Sequence, residues 1–255
     1  MIEIVTVREF LMLLAAVGGR RAILPDFGDM SDGLSPDTAA ADGPRVFTAS
    51  EETLETSHRV LLELLRRGLL KIENGRAVPE RFAMEYFHVF KNASTAVCVW
   101  PKEPEYPPVF GYIVPPAGSE RAALLERVDV QPGAWRIWME DLAQWRAALV
   151  ERMSEYFLPP VDEEVVRTPF DGLFAAAPLE LGAADTLWVA DACPAGQPFS
   201  EDNIRRRLTI KTGGLRPVIY EEGRMRETAP GSKKLLNEYL KRLMRPLEET
   251  ADGHA

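Results

Sequence analysis

The chain has 255 residues, 46% of them apolar and 27% charged, with a formal net charge of −9. That length buries a core without disulfide or metal staples, and the excess of acid opposes binding to nucleic acid or an anionic membrane. Three histidines (His58, His88, His254) and two cysteines (Cys98, Cys193) sit at no metal or redox spacing, and neither a Gly-x-Ser-x-Gly nor a phosphate-binding loop is present.

Thr6 is placed to cap a helix over 7–17, with Glu9 at the capping-box position and Gly18-Gly19 as its stop. Phe10, Leu11, Leu13, Leu14 and Val17 give it a wide apolar face, so it should be mostly buried. The apolar stretch is too short to span a bilayer, and no run of 18 apolar residues follows, which predicts a soluble, cytoplasmic protein. Residues 26–45, rich in Asp, Gly, Ala, Ser and Pro, read as a loop. Ser50 is placed to cap a second helix, with Leu54, His58, Leu61, Leu62 and Leu65 at helical spacing and Gly68 as its end. Leu69 to Val78 reads as a hairpin with Asn74-Gly75 in a type I′ turn, and Pro79 opens a third helix to about residue 90.

Short strands are expected at 95–100, 109–114, 122–130 and 134–139, the second bracketed by Pro104, Pro107-Pro108 and Pro115-Pro116. A helix over 141–157 carries Leu142, Trp145, Leu149 and Met153 on one stripe. Residues 173–179 fit either a strand or a short helix. Strands over 185–193, 206–211 and 216–220 follow, then a helix over 232–243 and a polar tail. Helices and strands are grouped rather than alternating. This predicts an α+β fold with a central antiparallel or mixed sheet flanked by helices. Helix-then-strands order recurs, so two loosely similar subdomains are expected, 1–140 and 141–245, with a tail at 246–255.

Candidate chemistry is sparse. His88 has Glu85 on the same helix face, but no second such pair exists to complete a metal site. Clustered acids at Glu51-Glu52, Asp162-Glu163-Glu164 and Glu221-Glu222 read as surface charge unless two converge in a cleft. Cys98 and Cys193 lie in apolar strands and read as small buried hydrophobes. No catalytic, cofactor or metal residue is assigned, and the chain reads as a non-enzyme. Arg205-Arg206-Arg207 fits a solvated sheet face or a docking surface. Residues 54–78, a leucine-rich helix followed by a hairpin, also fit a winged-helix DNA reader, although that helix mixes Glu55 and Glu63 with Arg59, Arg66 and Arg67. The proline-bracketed hairpin and the last helix supply the expected partner-binding residues: Tyr106, Phe110, Tyr112, Leu236 and Tyr239.

The order of elements resembles a known family. A leucine-rich helix from Val7, Gly18-Gly19 and Ile23-Leu24-Pro25-Asp26 come first. Then come Leu64-Leu65-Arg66-Arg67-Gly68-Leu69-Leu70, a hairpin at Asn74-Gly75-Arg76-Ala77-Val78-Pro79, a helix and a run of strands. This is similar to the EspG-type chaperones of type VII (ESX) secretion systems. The resemblance implies a two-part α+β fold around a central sheet. It also implies a non-enzymatic role, in which the chaperone binds the helical tip of a secreted protein partner and keeps it soluble. It carries over no role for any single residue.

Overall fold

Strands rich in Val, Ala, Leu and aromatics form the centre of the molecule. The computed structural model describes residues 2–18, 21–24, 45–48, 58–103, 107–114, 121–128, 134–155, 157, 164–170, 174, 183–197, 199, 202–213, 216–223 and 225–247. In chain order the elements are β1 (Ile2–Thr6), α1 (Val7–Ala16), β2 (Arg21–Leu24), β3 (Arg45–Thr48), α2 (His58–Arg66), β4 (Leu70–Glu73), β5 (Arg76–Pro79) and α3 (Arg81–Asn92). Then come β6 (Thr95–Pro101), β7 (Val109–Ile113), β8 (Arg121–Arg127), β9 (Ala134–Asp141) and α4 (Leu142–Met153). The chain continues through β10 (Val166–Pro169), β11 (Thr186–Pro194), β12 (Arg206–Gly213), β13 (Arg216–Glu222), β14 (Met225–Pro230) and α5 (Lys233–Leu243). The fold is α+β, as its grouping of helices and strands predicts.

One ten-stranded sheet runs in the order β1-β9-β8-β7-β6-β11-β12-β13-β14-β10, and each described neighbour pair is antiparallel. β2–β3 and β4–β5 form two separate hairpins. Alternate residues of the strands serve opposite faces. On one face Ala96, Cys98, Phe110, Tyr112, Leu125, Trp135 and Ile137 pack with α1, α2 and α3. On the other Val97, Val99, Leu124, Ala190, Leu208, Ile210 and Ile219 pack with α4 and α5. Trp135 and Trp138 fall on opposite faces, Trp135 buried and Trp138 partly buried.

Local signals explain several boundaries. Thr6 caps α1 through the expected box: Glu9 N–H donates to Thr6 Oγ1 at 3.2 Å, and Thr6 N–H donates to Glu9 Oε2 at 2.7 Å. Phe10, Leu11, Met12, Leu13 and Leu14 are all buried, each contributing about 1.5–3 kcal/mol by leaving water. Asp141 caps α4 by accepting from the Ala143 and Gln144 N–H groups.

Other expectations need correction. Pro79 is the last residue of β5, and Glu80 takes the N-cap of α3. α4 ends at Met153 rather than near 157. The buried stripe of α2 is Leu64 with Val60, Leu61 and Leu65, whereas His58 and Leu62 are exposed. The strands β1, β2, β3, β10 and β14 have no counterpart in the sequence reading. Arg45, placed in the loop, opens β3. Met244, one residue past the expected end of the last helix, is buried in the second core. The expected cap Ser50, most of loop 26–45, the element at 173–179 apart from Phe174, and residues 248–255 lie outside the described residues.

Candidate partner-binding surface

Among the described residues, the unit from α2 to α3 carries three of the six exposed large apolar side chains. α2 stops in a Schellman arrangement: Gly68 N–H donates to Leu65 O at 3.1 Å and Leu69 N–H to Leu64 O at 2.9 Å. Gly68 has φ +68°, which only glycine adopts at little cost. Asn74 and Gly75 both have positive φ, as a type I′ hairpin turn requires. Glu80 N–H then donates to Leu69 O at 3.0 Å, bringing the start of α3 beside the end of α2. Ala83, Tyr86, Phe87 and Phe90 turn inward from α3, leaving Arg81, Met84, Glu85 and His88 outside. Leu62 is 66% exposed, Ile72 55% and Met84 44%, half of the six large apolar side chains exposed among the described residues.

Gly68, Glu80, Arg81, Phe82 and Glu85 line an open cleft of about 480 Å³ in this unit. Phe82 is half-buried, with its ring centroid 6.2 Å from that of Tyr86 in an edge-on arrangement. Arg81 reaches Glu85 at 3.6 Å, and its side chain is 94% exposed. The Lys71 ammonium is held by Glu73 at 2.7 Å, and that hydrogen bond pushes its pKa up. Glu80 makes no side-chain cap for α3, and no hydrogen bond or ion pair engages its carboxylate among the described residues.

The residues expected to bind a partner are placed elsewhere. Phe110 and Tyr112 lie in the first core, where Tyr112 meets Phe90 at 4.9 Å and Phe110 meets Trp100 at 5.8 Å between ring centroids. Leu236 and Tyr239 lie in the second core beneath α5. All four are buried because strand alternation and the helix stripe spend them on the interior, so none offers a surface to a partner in this state. Tyr106 lies outside the described residues.

The candidate chemistry also disperses. No group of three or more His, Cys, Asp or Glu able to hold a metal occurs among the described residues. His88 is exposed. Burial pushes the thiols of Cys98 and Cys193 well up, which keeps both protonated and inert. Glu221 turns towards Arg242 on α5, whereas Glu222 pairs with Arg226 at 2.6 Å. Arg206 donates to the carbonyls of Arg242 and Arg245 at the end of α5, while Arg207 is buried against Asp191 on the other face. Glu51-Glu52 and Asp162-Glu163 lie outside the described residues. No described helix is long and apolar enough to cross a membrane.

No family model matches the chain, and no curated protein matches it in sequence. Its fold is similar to that of a solved type VII secretion system chaperone. The likeness is to EspG5 of Mycobacterium tuberculosis, whose structure is solved in complex with a PE25-PPE41 dimer. It has a TM-score of 0.52 and covers 98% of each chain at 12% sequence identity. At that identity the likeness is one of fold, and it agrees with the resemblance read from the order of elements.

Proposed function

We propose that this protein is a cytoplasmic, non-enzymatic adaptor that binds a protein partner, in the manner of a chaperone for a helical substrate of type VII-like secretion. The observation that carries this reading is the end-to-end likeness of fold to a chaperone solved with its partner dimer. The exposed Leu62, Ile72 and Met84 add support, because apolar groups left in water on neighbouring elements mark interaction surfaces. We take the α2-to-α3 unit as the partner-facing surface, with Tyr106 as a further candidate.

DNA binding through residues 54–78 has weaker support. Arg66 is bound to Glu63 at 2.6 Å, Arg67 to Glu9 at 2.9 Å and to Glu3 at 3.2 Å, and Lys71 to Glu73. Cations already matched by carboxylates release few counterions from a duplex.

The test is reconstitution. The tagged full chain is purified from its native host, and the proteins bound to it are identified by mass spectrometry. The recovered protein is then produced alone and together with this chain. A small helical protein that forms a stoichiometric complex, and stays soluble only in that complex, supports the reading. Recovery of nucleic acid alone, or of a partner equally soluble without the chain, overturns it.

A further inference from the structure

We propose that the cleft between the end of α2 and the start of α3 receives one long cationic side chain, Arg or Lys, from a helix of the partner. Its aliphatic stem would lie on Phe82 and its charged head between Glu80 and Glu85. This rests on the adaptor reading and names the partner chemistry that the cleft selects.

The cleft is open rather than enclosed, so it suits a group projecting from a larger surface better than a free metabolite, which binds by burying most of its own area. Its lining combines an aromatic ring with two carboxylates and one guanidinium, and the nearby Lys71 is itself matched by Glu73, leaving an excess of negative charge. Long cationic side chains match such a lining, because stem and head have different solvents. A cation beside a ring is also drawn to its π face. Arg81 does not fill this role. It is almost fully exposed and meets Glu85 only at 3.6 Å, whereas Glu80 makes no hydrogen bond or ion pair among the described residues and feels only the charge of Lys71, which Glu73 already holds at 2.7 Å. An incoming guanidinium can take Glu80 without displacing Arg81 from Glu85.

The N-terminus of α3 by itself favours an anion. Glu80 at the N-cap position and Glu85 five residues further on oppose that field with their carboxylates. Met84 stands one turn from Glu80 on the outer side of α3, and Leu62 on α2 and Ile72 on β4 are exposed. A partner helix crossing this unit would find exposed apolar side chains on the same unit as one acidic notch, the elements of helix-in-groove recognition.

Two synthetic helical peptides test this, with the same Leu/Ala scaffold and either Arg or Glu at the central exposed position. Each is titrated into the isotopically labelled full chain and followed by amide shifts and fluorescence anisotropy. The Arg peptide should bind at least about tenfold more tightly, with shifts centred on Gly68, Phe82 and Glu85. The paired substitution Glu80→Lys and Glu85→Lys should reverse the preference, with an unchanged thermal melt as the control for folding. Equal affinities, tighter binding of the Glu peptide, shifts centred elsewhere or no binding of either peptide would overturn the proposal. A natural complex undiminished by the paired substitution defeats the cleft and leaves the adaptor reading intact. Failure of the wild-type chain to hold any partner defeats the adaptor reading, and a retained preference for the Arg peptide would still support the cleft.

Discussion

At Gly111 in β7 a side chain is forbidden by its neighbour: a Cβ there would lie 2.2 Å from Trp145 Cη2. The indole of α4 therefore rests directly on the strand backbone, which is why a glycine is found in the middle of a buried strand. Gly111→Ala should destabilise the protein by about 1–3 kcal/mol in urea denaturation. Trp145→Leu in the same chain should recover part of that loss, and a fully stable single variant would contradict this packing. The opposite sheet face holds an ion pair. Arg207 donates two hydrogen bonds to Asp191, at 2.6 and 2.8 Å, with side chains 2% and 0% exposed, and the Phe174 ring lies 5.4 Å from the guanidinium carbon. Removing one member strands a buried charge. Arg207→Met or Asp191→Leu alone should therefore cost about 3–5 kcal/mol, and the two together less than either. Additive losses in chemical denaturation would show that the pair is uncoupled. Strand alternation makes the opposite orientations of Arg206 and Arg207 legible in the sequence. The identity of Arg207's partner is not legible, because Asp191 is brought to it only by the register of β11 on β12.

Elements whose boundaries depend on adjacent residues could be read directly: the Thr6–Glu9 box of α1, Gly68 after α2 and the Asn74-Gly75 turn. Edge strands could not. β10 is a four-residue strand ending in proline with every residue exposed, so it has no apolar alternation to betray it. β1 precedes a helix and finds its partner only in β9. Arg67 guards that edge by donating to Ile4 O at 2.6 Å while bound to Glu3 and Glu9. At the other edge, α5 is tied to the outer strands by charge. Arg242 contacts Glu221 at 3.3 Å and Glu227 at 3.0 Å, and Arg167 of β10 reaches Glu227 at 2.8 Å. Burial pushes the Glu221 carboxyl up, with Arg242 only partly opposing it. At Glu227 burial acts in the same upward sense, but hydrogen bonds from Arg167 and Arg242 outweigh it and hold the pKa down. The two carboxylates thus have opposite linkage to stability. Glu227 stabilises the fold above the ordinary carboxylate range, and that contribution is lost as pH falls through its lowered pKa. The stabilisation from Glu221 is present at low pH and is lost as pH rises through its raised pKa. Glu227→Gln should cost about 1.5–3 kcal/mol at pH 7 and flatten the acid side of the melting profile. Glu221→Gln should leave the pH 7 melt unchanged or raise it. Equal losses from both substitutions would mean that the two carboxylates are not distinguished by their surroundings.

The sheet reads the same inward from either edge. β1, β9, β8, β7 and β6 form one half, and β10, β14, β13, β12 and β11 repeat that order in the other. A helix follows the last strand of each meander: α4 after β9 and α5 after β14, both on one face and packed into one core. The grouping of elements made the α+β class legible in the sequence. That the halves share a single sheet was not legible, because the junction pairs Thr95 with Pro194 and Pro101 with Trp188, residues remote from one another in the chain. Taking the two halves as a proposal, the repeated order assigns α4 to the first, so that unit closes near residue 155 rather than at 140. The consequence is physical. A fragment ending at residue 140 removes Trp145, Leu149 and Met153 from the face formed by Val97, Val99, Ile113 and Leu124, leaving apolar sheet in water beside an open β6 edge. Fragment 1–155 keeps that cover and loses β10 to β14 and α5, of which β11 is the strand that pairs with it. The full chain should unfold in one transition by tryptophan fluorescence and circular dichroism, because α4, α5 and the central strands form a common core. Fragment 1–155 should be clearly more soluble than fragment 1–140, and fragment 1–140 should show no cooperative unfolding. Cooperative unfolding of 1–140 by itself would instead place α4 with the second half and make the repeated order a coincidence of strand pairing.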